Sequence, residues 1–148
     1  MRVAVGFDHA GVPLRDAIFE AVEETGNDVL DVGTDSEESV DYPDIALRVT
    51  EAIENGEADR GILCCGSGAG VAVAANKVRG IRAAPIQDTY TAHQAVEHDD
   101  LNVLCLGGRV VGEELAAEIV KAFLPAQFTG EERHERRVGK IKAIEQEH

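Results

Sequence analysis

The chain has 148 residues, 44% hydrophobic and 28% charged, which is the make-up of one globular domain (residues 1–148) and excludes a disordered or fibrous segment. Asp and Glu number 28 against 14 Lys and Arg, and the resulting net charge of −14 repels nucleic acid and anionic lipid. With no Trp and 4% aromatic residues there is no platform for stacking bases, and no apolar run nears the ~18 residues of a membrane span.

Met1 leads directly into Arg2-Val-Ala-Val-Gly6, a short buried strand, so no leader peptide is expected. Phe7-Asp8-His9-Ala10-Gly11 closes it as a loop, and Pro13 suits the first turn of a helix. Leu14, Ala17, Ile18, Ala21 and Val22 recur at helical spacing, with Gly26 as the stop. Asp28–Val32 reads as a second strand, followed by an acidic loop from Asp35 to Asp41. Ile45, Ala46, Val49, Ala52 and Ile53 mark a second helix, ended by Asn55-Gly56.

The cycle then repeats. Gly61–Cys65 is a strand, Gly66–Gly70 a glycine loop, and Val71–Lys77 a short helix. Ile81–Pro85 and Asn102–Leu106 are further strands, with helices over Tyr90–Glu97 and around Leu115–Leu124. Gly130–His148 is helical in pattern and lies outside this unit. Strands alternating with helices predict an α/β fold: a single doubly wound, flavodoxin- or Rossmann-like, five-stranded parallel sheet with helices on both faces plus a C-terminal extra helix. With the flavodoxin-like order 2-1-3-4-5, ligands bind where strand order reverses, between strands one and three. Asp8 and His9 sit on one side of that point and Cys65–Gly70 on the other.

The loop Cys65-Gly-Ser-Gly-Ala-Gly70 can turn backbone N–H groups toward an anion, or it is simply a tight strand-to-helix turn. It is neither a Walker A loop nor a dinucleotide fingerprint. Cys65, between strand and helix, reads either as a thiolate base or as a small buried hydrophobe; Cys64 and Cys105 read as the latter. Three cysteines, two of them adjacent, argue for reduced thiols and a cytoplasmic setting rather than disulfides. The spacing of the five histidines matches no zinc pattern, so no metal is expected. His98 stands before a strand, as a site residue or as a cation at a helix end. Arg133 and Arg137, four apart, either grip one phosphate or pair with Glu132 and Glu135 along their helix.

Taken together, Gly6-Phe-Asp-His-Ala-Gly11, Asp41-Tyr-Pro43, Cys65–Gly70, Ala74-Ala-Asn-Lys77, Gly80-Ile-Arg82, Glu97-His98, Asn102-Val-Leu104, Gly107-Gly-Arg109 and Arg133-His134 with Arg137 resemble the ribose-5-phosphate isomerase B family nearly end to end. That family includes galactose-6-phosphate and allose-6-phosphate isomerases. The resemblance implies a cofactor-free aldose–ketose isomerase working through a 1,2-enediolate. It assigns Cys65 as the base between C1 and C2, and Ser67 as the hydroxyl aiding proton movement between O1 and O2. Asp8 and His98 are tied to ring binding and opening. The amides around Gly66, Gly68 and Gly70 form an anion hole, and His9, Arg109, Arg133 and Arg137 hold phosphate, with Tyr42 near the sugar. It further implies a homodimer or homotetramer with shared active sites, in which His98, Asp99 and Arg109 come from the neighbouring chain and the segment 130–148 contacts a partner. Asp99 departs from the Asn common in the family. Ribose 5-phosphate is the expected substrate. The rivals are a hexose or tetrose phosphate with the same machinery, or a phosphosugar-binding regulator without catalysis.

Overall fold

Strand β1 (Arg2–Phe7) is buried along all but its first residue and pairs in parallel with β2 (Asp28–Asp31) on one side and β3 (Arg60–Cys65) on the other. The structure, a computed structural model, describes residues 1–34 and 36–148; of the expected acidic loop, Asp35 lies outside the described residues. Helices α1 (Arg15–Glu24), α2 (Tyr42–Glu54), α3 (Ala69–Ala75), α4 (Thr89–Asp99), α5 (Glu113–Phe123) and α6 (Glu132–Glu147) alternate with the strands or follow them. A 3₁₀ turn over Val12–Leu14, carrying Pro13 where a missing N–H costs nothing, precedes α1. Gly26 at φ 80° ends it.

All five strands are parallel, in the order β2-β1-β3-β5-β4, where β4 is Ala83–Pro85 and β5 is Val103–Gly107. This corrects the order 2-1-3-4-5: the last two strands change places. The reason lies in their sequences. Val103–Gly107 is buried at every residue, as a strand covered on both faces must be, and it takes the inner position beside β3. Ala83–Pro85 is short and half exposed, and Pro85 lacks an N–H for a ladder, which suits an edge. Strand order still reverses between β1 and β3.

Successive side chains of the strands point to opposite faces. Val3, Val5, Phe7, Ile62, Cys64, Leu104 and Leu106 pack under α1, α4 and α5; Ala4, Leu63, Cys65, Val103 and Cys105 pack under α2 and α3. The adjacent cysteines therefore face away from one another. Fully buried side chains such as Phe7, Ile62, Leu104 and Phe123 each contribute about 1.5–3 kcal/mol of burial. Helix α6 packs on α4. Arg60 secures the chain between α5 and α6 by donating to the carbonyls of Phe123, Leu124 and Ala126 at 2.7–3.2 Å.

Candidate active site

At the carboxyl ends of β1, β3 and β5 the three following loops enclose a cavity of about 430 Å³, lined by Asp8, Tyr42, Cys65, Gly66, Ser67, Gly70, Arg109 and Val110. A larger hollow of about 540 Å³ lies between α3 and α6, lined by Lys77, Arg79, Ile81 and Ile144 among others. The smaller one gathers seven of the expected site residues: Asp8, Tyr42, Cys65, Gly66, Ser67, Gly70 and Arg109.

Each wall has a local cause. The buried Asp8 carboxylate accepts from the amides of Ala10 (2.9 Å) and Gly11 (3.0 Å), which folds the β1 loop back on itself. The carbonyls of Cys65 and Gly66 accept from Gly108 N (2.8 Å) and Arg109 N (3.0 Å), stitching the β5 loop to the β3 loop. Arg109 is thereby set beside Gly66 of its own chain. Gly68 adopts φ 83°, a left-handed conformation that a side chain would strain, and its amide donates to Cys65 Sγ at 3.2 Å. Gly70 has no room for a Cβ, which would lie 2.7 Å from the Tyr42 ring.

The glycine loop divides its donors. Gly68 N is committed to Cys65 and Ala69 N to Ser67 Oγ (3.2 Å). The amides of Gly66, Ser67 and Gly70 have no acceptor among the described residues, so these three loop donors stay uncommitted. Because Ser67 Oγ accepts from Ala69, its own proton is free for another acceptor. His9 Nδ1 accepts from Val40 N at 3.2 Å, which leaves Nε2–H as a donor.

The three thiols differ in access. Cys65 retains 5% exposure at the cavity, whereas Cys64 and Cys105 have none, and burial pushes both of those thiols well above the usual range. They fill the core.

The remaining expected residues lie elsewhere. His98 and Asp99 end α4, which leads into the amino end of β5, at the end of the sheet opposite Cys65. There the His98 ring stacks on that of His134 from α6, centroids 4.1 Å apart and planes 23° apart. His98 Nδ1 meets Gln94 Nε2 at 2.9 Å, and His134 Nδ1 meets Thr129 Oγ1 at 2.6 Å. Burial, with His98 and Arg133 close by, holds His134 below the usual histidine range. Arg133 pairs with Glu131, and Arg136 rather than Arg137 pairs with Glu132. Arg137 makes no ion pair among the described residues. Sequence reasoning missed Val110 as a lining residue, for which no local pattern speaks. It also missed Gln94, whose i, i+4 spacing to His98 on a helix was a usable signal.

A family profile described as ribose/galactose isomerase matches residues 3–141. The chain belongs to that family. It is an aldose–ketose isomerase, which sets aside the reading without catalysis. Ribose-5-phosphate isomerase B of Escherichia coli is 48% identical over 145 residues, covering 98% of this chain and 97% of that one. D-erythrulose-4-phosphate isomerase of Pectobacterium atrosepticum is 43% identical over 131 residues, 88% of this chain and 86% of its own. The solved structure of ribose-5-phosphate isomerase B from Clostridium thermocellum superposes on the isomerase with a TM-score of 0.94, at 50% identity and 99% coverage of both chains. The isomerase acts on sugar phosphates.

Proposed function

We propose that the enzyme interconverts ribose 5-phosphate and ribulose 5-phosphate through a 1,2-enediolate, with Cys65 as the base and no cofactor. One observation carries this reading: the Cys65 sulfur, three uncommitted amides, the Asp8 carboxylate and the Arg109 guanidinium share a single cavity.

The furanose opens first. The C1–O4 bond breaks as O4 gains a proton and O1 gives one up, with Asp8 and His98 at the ring. Cys65 then removes the proton from C2; that electron pair forms C1=C2, and the C1=O1 pair moves onto O1. The Gly66, Ser67 and Gly70 amides stabilise this charge where it develops. The Ser67 hydroxyl aids the proton shift between O1 and O2. Return of the proton from Cys65 to C1 leaves a carbonyl at C2. His9 Nε2–H and Arg109 anchor the phosphate, and that anchoring keeps C2 within reach of the base.

The protein works in the cytoplasm as a homodimer or as a tetramer built of dimers. What supports the assembly is that one copy carries Cys65 and the set His98, Asp99, Arg133 and Arg137 at opposite ends of its sheet, so a second copy supplies the latter. The D-erythrulose-4-phosphate isomerase relative favours a second reading, a four-carbon substrate with the same chemistry. Ranking phosphorylated tetroses, pentoses and hexoses by kcat/KM decides: the pentose comes first on the primary reading, the tetrose on the second.

A further inference from the structure

We propose that Gln94 and His134 are positioning residues that present His98 as an Nε2–H donor to the sugar. This rests on the isomerase reading above and deepens it. An amide nitrogen only donates, so Gln94 Nε2, 2.9 Å from His98 Nδ1, makes Nδ1 the acceptor and puts the ring proton on Nε2. Gln94 stands one helical turn before His98 on α4, so the contact is built into a rigid element. The opposite constraint comes from α6. The buried His134 ring lies against the His98 ring at 4.1 Å and 23°, which fixes the plane in which Nε2–H points. His134 is itself tethered through Nδ1 to Thr129 Oγ1, and Thr129 N donates to Glu97 O at 3.0 Å, so the loop before α6 is bound back to α4 next to His98.

The tautomer and the ring plane of the imidazole are thus set by residues that need not touch the substrate. A neutral imidazole so held is a hydrogen-bond donor to the departing ring oxygen. It is not needed once the chain is open. Ribulose 5-phosphate is acyclic because its C5 oxygen carries the phosphate, so exchange of its C1 hydrogen with solvent bypasses this step.

The test uses the full-length assembled protein. Gln94→Leu keeps the bulk and removes the donor. It is expected to lower turnover of ribose 5-phosphate roughly three- to tenfold, the effect of one lost hydrogen bond. Deuterium exchange at C1 of ribulose 5-phosphate should stay within about twofold of the parent. In ¹⁵N NMR of the ring, His98 should lose its single Nε2–H tautomer. His134→Phe, which preserves a flat ring, should retain turnover that His134→Ala loses. Unchanged ribose 5-phosphate turnover in Gln94→Leu overturns the proposal, and so does a parallel fall of turnover and exchange, which marks a merely structural role. Failure of the parent protein to convert ribose 5-phosphate at all would instead overturn the substrate reading on which the proposal rests.

Discussion

The amide of Gly68 donates to the sulfur of Cys65 across 3.2 Å, with Gly68 in the left-handed conformation that makes the approach possible. The bond ties the side chain that ends β3 to the start of α3, where Cys65 lines the cavity with 5% exposure. Cys64, one residue earlier, faces the other layer, and Cys105 on β5 is sealed beneath α2 and α3.

That difference predicts the reactivity of the thiols. Iodoacetamide should modify Cys65 in the native protein and leave Cys64 and Cys105 untouched, since neither is exposed and burial opposes ionisation of both. Ribose 5-phosphate should protect Cys65. Peptide mass spectrometry reads the result, and equal labelling of all three would contradict the placement.

On the proposed mechanism Asp8 has two tasks that substitution can separate. Asp8→Asn keeps an oxygen for the Ala10 and Gly11 amides, so the loop should hold while the loss of the carboxylate charge lowers kcat. Asp8→Ala leaves two amides without their acceptor, at a cost of about 1–3 kcal/mol each, and should also lower the melting temperature. Urea denaturation beside steady-state kinetics distinguishes the two variants.

His134 sets an acid limit on stability. Its folded-state value lies below the ordinary 6.5, chiefly because it is buried. The unfolded chain therefore binds the proton more readily, and stability rises with pH across that interval. The contribution is fully present above about 6.5 and is lost as pH falls from there toward the folded-state value. His134→Asn, which has nothing to protonate, should lose less urea resistance between pH 7.5 and 5.5 than the parent.

The proposed sharing of sites between copies predicts complementation. Cys65→Ala and His98→Ala should each be inactive alone, yet refolded together in equal amounts they should regain roughly a quarter of parental activity. Half the dimers would be mixed, and each mixed dimer has one site with both residues intact. No recovery would place Cys65 and His98 in the same copy's site.

Much of this was legible in the chain because the physics is local. Leu14, Ile18, Ala21 and Val22 announce the buried stripe of α1, and buried runs such as Val3–Phe7 announce central strands. The order of β4 and β5 was not legible as a pairing, although Pro85 already carried the hint of an edge. Asp8, Cys65 and Ser67 could be placed at one end of the sheet because parallel topology brings the ends of β1 and β3 together. Which loop amides stay free depends on Gly68 bonding to Cys65 and Ala69 to Ser67, and sequence spacing does not encode such contacts. The stacking of His134 on His98 depends on how α6 returns to α4, a long-range event fixed partly by Arg60 at the end of α5.

The role of Cys65 is tested most directly by Cys65→Ala assayed for conversion of ribose 5-phosphate and for deuterium incorporation at C1 of ribulose 5-phosphate. The variant should melt cooperatively and lose both reactions by on the order of 10²–10⁴, the usual worth of a positioned base. Undiminished turnover with the fold intact would contradict the assignment of Cys65 as the base.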